Sequence, residues 1–265
     1  MIFPYGEIRK VPLDYEGISS SAFAVQRKDV TKEGISNKWT ECGVVSQKYM
    51  LVPNEEVKDL AHQISTESKH DWKFTKEFFD GRRYMYFMQA DSERVNIAKD
   101  DDIALGMGFW NSYDGSTALQ FRTFLIRLAC TNGMITKDFM NLVKFKHDKT
   151  SEGYEDQIIK SAKVVDNCGH NIEEVAKRMR IMTETECNID LLTEIRCNLL
   201  NHIPVTLWGK ITTKFLNDMY QNEENATLWD FYNSCTNVLW HEEKPTVSSF
   251  EHNSSITDNL LKYVA

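Results

Sequence analysis

Apolar residues between positions 41 and 52 fall into two short runs, Gly43-Val44-Val45 and Tyr49-Met50-Leu51-Val52, before Pro53 and Asn54 interrupt them. The chain thus reads as short strands at 21–27 and 41–50. Asn54 is placed to cap a helix whose first turn carries Glu55 and Glu56, where the helix dipole favours carboxylates. Val57, Leu60, Ala61 and Ile64 then recur at spacings of three and four, which turns one stripe of that helix toward a core.

The sharpest hairpin signal lies between Asp71 and Asp91, where Asp80-Gly81 reads as a two-residue turn joining two aromatic-rich runs. That register pairs Phe78 with Arg83, Phe74 with Phe87 and Trp72 with Gln89 on an apolar face expected to meet the core. The opposite face carries Lys73, Arg82, Tyr84 and Tyr86 and is expected to be open. Extended segments follow at 103–111 and 117–130, separated by Tyr113-Asp114-Gly115-Ser116. The thick apolar run TFLIRLAC marks a strand buried on both sides, and another short strand is expected near Leu142–His147.

From residue 151 the period changes to that of helices. Ile158, Ile159, Ala162 and Val165 share a stripe, as do Val175, Met179 and Met182, and then Leu191, Leu192, Ile195, Leu199 and Leu200. Two more stripes follow, one with Leu207, Ile211, Phe215 and Met219, the other with Leu228, Phe231, Tyr232, Cys235 and Leu239. The Ser/Asn-rich tail after Pro245 is expected to be irregular. Strands first and helices later predict an α+β fold: an antiparallel sheet from residues 1–150, packed by helices from 151–265, as one structural unit.

Composition narrows the functional classes. No run approaches the roughly 18 apolar residues that cross a bilayer, so no membrane span is expected. The six cysteines form no Cys-x-x-Cys pair and the N-terminus has no secretory pattern, which suits reduced thiols in a cytoplasmic protein. Residues 1–150 hold 21 basic and 21 acidic side chains, so the whole net charge of −8 belongs to residues 151–265. A polyanion site must therefore be a local patch in the first half, while the acidic second half suits a basic partner.

The motifs of enzyme chemistry are thin. There is no phosphate-binding loop, and Gly106-Met107-Gly108 lacks both the third glycine and the strand-to-helix setting of a dinucleotide site. Cys168 and His170 have no second pair at metal-ligand spacing, and Ser112 or Ser116 with Asp114 and His147 forms no nucleophile elbow. No catalytic group, cofactor or metal is expected, and the chain is read as a non-enzyme. Arg127, inside TFLIRLAC, needs a partner for its guanidinium, and Asp114 is the candidate.

The strongest functional pattern is the alternation of cations and aromatic rings on the mixed hairpin face. Such a surface neutralises phosphates and stacks bases. Lys73, Arg82, Tyr84 and Tyr86 would form it, extended by Arg122, Lys144 and Lys146 from neighbouring strands.

The stretch WNSYDGSTALQFRTFLIRLACTNGMI, with GVVSQKYMLVPNEE before it and FKHDKTSEGYEDQI after it, resembles a phage/plasmid-like family catalogued as domain of unknown function 932. The residues that carry the resemblance are Asn111, Ser112, Asp114, Gly115, Ser116, Arg127, Cys130, Asn132 and His147, with TLWDFYNSCTNVLWH near the C-terminus. Tyr113 stands where the family usually has His. The family's strand–helix–hairpin core is distantly similar to the single-strand annealing recombinases of phages, which assemble into rings or filaments. The resemblance implies a homo-oligomeric accessory protein of a phage or mobile element, in the host cytoplasm, that binds single-stranded DNA or RNA without bond chemistry. Asn111, Asp114 and Arg127 would shape that site. The alternative is an interaction protein that counters a host defence or polymerase factor through its acidic surface.

Overall fold

The computed structural model describes residues 2–15, 18–128, 132–134, 142–144, 151–222, 226–242 and 247–264. Three antiparallel strands open the chain in the order β1-β2-β3: β1 (Ile8–Tyr15), β2 (Ile18–Thr31) and β3 (Gly34–Ser46). The strand expected at 21–27 is the heart of β2, and that expected at 41–50 begins as the end of β3 but stops at Ser46, before Tyr49 and Met50, while β1, with Pro12 in its middle, does not announce itself. Arg9 pairs with Gln26 and Lys28 with Trp39, so these four side chains share one face, opposite Val25 and Cys42.

Helix α1 (Asn54–Glu67) buries Val57, Leu60, Ala61 and Ile64, the stripe expected from their spacing. Asn54 is not its side-chain cap. Pro53 precedes the helix, and the buried Asn54 amide donates to the Pro4 carbonyl at 2.7 Å instead.

The second sheet has six strands. β4 (Trp72–Phe79), β5 (Arg83–Ala98), β6 (Asp101–Ser112), β7 (Gln120–Arg127) and β8 (Asn132–Met134) lie in that order, with β9 (Leu142–Lys144) also paired to β7. β6 and β7 are buried along nearly their whole length, the continuous pattern of interior strands. Residues 129–130 and 145–147 of the expected strands lie outside the described residues.

Helices dominate from residue 151: α2 (Ser151–Glu184), α3 (Ile189–Leu199), α4 (Val205–Asn222), α5 (Leu228–Asn237) and α6 (Val247–Leu260). Asn188 caps α3 and Thr227 with Asp230 forms a capping box on α5. Ile159 and Leu200, expected on core stripes, are exposed. α6 corrects the expectation of an irregular tail. Its buried stripe runs Phe250, Asn253, Ser254, Thr257, Leu260, and the polar members are satisfied internally: the Thr257 hydroxyl donates to the Asn253 carbonyl and lies 2.8 Å from the Tyr232 hydroxyl. Strands in the first half and helices in the second make the fold α+β.

The chain forms two units, each assembled from separated segments. One comprises Met1–Met88, Met107–Arg122 and Leu142–Asp166, the other Gln89–Gly106, Thr123–Asn141 and Asn167–Ala265. A core cluster of the first is Val25, Cys42, Val45 and Tyr113, with Phe23, Tyr49, Leu51 and Phe79 packed against it. In the second, the rings of Phe124, Trp240 and Phe250 lie within 5.9 Å of one another. Among the described residues, no helix is long and apolar enough to cross a membrane.

Candidate nucleic-acid interface

The Asn111–Ser116 motif folds into a lock between β6, α1 and β3. Asn111 Nδ2 donates to the Val52 carbonyl at 2.9 Å and to Asn54 Oδ1 at 3.1 Å, while Asn54 N–H donates to the Tyr113 hydroxyl. Tyr49 donates to the Ser112 carbonyl at 2.5 Å, and the Ser112 hydroxyl donates to the Thr117 carbonyl and accepts from its N–H. Asp114 accepts from Ser116 N–H, and Gly115 supplies the positive φ (75°) of the turn. A Cβ on Gly43 would lie 2.6 Å from Asp114 Cβ, so β3 and the turn meet at a distance only glycine permits. Asn111 and Ser112 are buried and committed to neighbouring backbone, and Tyr113 is a buried phenol whose pKa burial raises.

Arg127 pairs with Asp101, not with Asp114. Its Nε and Nη2 donate to the two Asp101 oxygens, each at 2.7 Å, and Trp229 Nε1 donates to the same carboxylate at 2.8 Å. The bidentate pair thus ties β7 to β6 and α5 within one unit. The correction has a geometric reason. Arg127 is paired through β7 with Asn132, at the far end of the strand from Gln120 and the Asp114 turn.

The hairpin face expected to be open is covered at its two tyrosines. Asp80 N–H donates to the Arg83 carbonyl, so Gly81 and Arg82 are the central turn residues, one position later than Asp80-Gly81, with Gly81 at φ +95°. Asp80 Oδ1 accepts from Arg82 and Arg83 N–H, which fixes that choice. Tyr84 and Tyr86 are 1% and 2% exposed. Tyr5 of the N-terminal segment lies 3.0 Å from the Tyr84 hydroxyl, both phenols donate to Glu77, and His62 of α1 reaches Tyr86. Burial, with Glu77 nearby, holds both tyrosines above the ordinary phenol pKa. Neither ring is available to a base. Phe74, expected in the core, is 53% exposed, its ring 5.2 Å from that of Tyr86.

The cations scatter as well. Lys73 and Arg82 are exposed. Arg122 is buried, its Nη2 3.3 Å from Gln120 Oε1 and its guanidinium 5.6 Å from the Trp110 ring centre, so the interior of β7 withholds it from solvent. Lys146 lies outside the described residues, and Lys144 is placed only as the partner of Gln120 in β9. No group of three His, Cys, Asp or Glu at metal-binding distance exists among the described residues.

A cation–aromatic cluster exists on a different sheet. On the outer face of β1–β3, the Arg9 guanidinium stacks 3.9 Å from the centre of the Trp39 ring and Lys28 Nζ lies 5.1 Å from the same centre. Arg9 Nε and Nη2 both donate to Gln26 Oε1, at 2.9 and 2.8 Å, while Lys28 pairs with Glu7 at 2.9 Å. Arg9 and Lys38 are exposed and Trp39 is half-buried. Sequence reasoning missed this site because its members come from three strands, one of them unforeseen. The available signal was the spacing of Gln26, Lys28 and Trp39 along a hairpin.

A family model described as Domain of unknown function (DUF932) matches residues 41–261. No curated protein and no solved structure matches the chain.

Proposed function

We propose that this chain, which belongs to the DUF932 family, binds single-stranded nucleic acid on the outer face of β1–β3, as an accessory protein of a phage or mobile element. The observation that carries the proposal is the Arg9–Trp39–Lys28 cluster: two cations and a flat ring on one solvent-facing sheet surface. Cations meet phosphates and rings stack bases, the two sequence-tolerant contacts used to hold single strands. The net charge of −8 makes the attraction local, so binding at low salt should weaken steeply as salt is added. The role is one of holding strands, and annealing in a homo-oligomeric ring or filament is its extension.

The test is fluorescence anisotropy of a labelled single-stranded oligonucleotide with the full chain, read beside particle size. Saturable, salt-sensitive binding that falls about tenfold in an Arg9→Ala/Lys28→Ala variant is expected, a loss of about 1.4 kcal/mol. Equal affinity in parent and variant would sink the proposal.

A further inference from the structure

We infer that Arg9 is a placeholder on the Trp39 ring, and that an unpaired base takes its position when a strand binds. The inference rests on the nucleic-acid reading above and goes on to say how the site tells single strands from duplexes.

Arg9 differs from two other cations of its own sheet. Lys28 has Glu7 as its carboxylate, and Arg27 on the opposite face has Asp29. Arg9 has no ion pair among the described residues: its contacts are a neutral amide oxygen, shared by Nε and Nη2, and the face of an indole. Both contacts are exposed to water, where each is weak. A phosphate offers the same guanidinium fork a charged acceptor on two oxygens, the geometry that arginine favours. The departure of Arg9 uncovers the indole, and a base stacked there replaces a solvated cation with a broad apolar contact. The two exchanges support each other, since the phosphate that draws Arg9 away belongs to the strand that supplies the base.

The exchange needs a base free to leave its neighbours. In a duplex the bases stay stacked and paired, so Trp39 gains nothing and only the phosphate contact remains. The cluster therefore selects unpaired strands.

The probe is a labelled oligothymidylate, compared with a duplex of matched length, on the full chain. Saturating oligothymidylate should change the indole emission of the parent, and the change should vanish in Trp39→Phe. Trp39→Leu should bind the single strand about tenfold more weakly and the duplex as the parent does. Arg9→Ala should lose less than Trp39→Leu, because it removes a phosphate contact but leaves the ring uncovered. If the parent binds the strand while its emission change persists in Trp39→Phe, or Trp39→Leu binds as the parent does, the exchange is wrong although nucleic-acid binding stands. If the parent binds no strand at any salt concentration, both fail together.

Discussion

Two β-ribbons that both set rings and cations in strands meet opposite fates. The β2–β3 ribbon keeps Trp39 and Lys28, with Arg9 of β1, on a solvent-facing surface, while the β4–β5 ribbon turns Tyr84 and Tyr86 beneath Tyr5 and α1. Composition alone does not decide exposure, because both set aromatic rings among charged side chains. What separates them is a covering layer. The segment around Pro4 and Tyr5 is tied down by Asn54 Nδ2 and Glu77, so that the β5 tyrosines become core. An aromatic ring in a strand is a candidate platform only when nothing else in the chain has a use for its face.

The comparison breaks most sharply on stability. Tyr84→Ala should cost about 3–5 kcal/mol in urea unfolding, the range for a fully buried aromatic, whereas Trp39→Ala should cost under about 1 kcal/mol. Equal losses would mean that the β2–β3 face is as much a core as the ribbon it is contrasted with. Next comes Asp101→Ala, which removes the bidentate partner of Arg127 and should cost about 3 kcal/mol. Replacing Asp114 in the same assay should cost less, and a reversal would restore Asp114 as the partner. Arg9→Ala with Lys28→Ala should leave the unfolding midpoint almost unchanged, within about 0.5 kcal/mol, while lowering oligonucleotide affinity.

The smallest effect concerns Lys76 on β4, whose pKa burial pushes down to about 8. Between pH 8 and the ordinary lysine value of roughly 10.4, the unfolded chain holds this proton and the folded chain has released it, so Lys76 contributes a rise in stability with pH. Chemical denaturation across that window should show a shallower rise in Lys76→Met. An unchanged slope would place Lys76 in water, and with it the β4 edge.

Much of the fold was legible because it follows from periodicity. The α1 stripe, the buried run of β7 and the stripes of α4 and α5 are apolar spacings that one element alone can satisfy. α6 was not legible, since Asn253, Ser254 and Thr257 do in its buried stripe what apolar residues do elsewhere, through hydrogen bonds visible only in three dimensions. The hairpin turn was misplaced by one residue because Asp80-Gly81 and Gly81-Arg82 are both acceptable turn pairs, and the Asp80 carboxylate decides between them by capturing two N–H groups. The Asn111–Ser116 motif was visible, but its role was not: Asn111 and Tyr113 are occupied in holding β6 to α1, and the Ser112 hydroxyl and Asp114 carboxylate in shaping the turn. The cluster around Trp39 required knowing that β1 exists.

The way the backbone alternates between its two units bears on how this protein is dissected and how it evolves. Each unit draws segments from both sides of residue 150, so no single cut in the gene yields either one intact. A truncation at that point removes Leu142–Asp166 in part from one body and Asn167–Ala265 wholly from the other. Fragments cut at that point should therefore be insoluble, and genetic exchange between relatives should keep the interleaved segments together rather than swap halves.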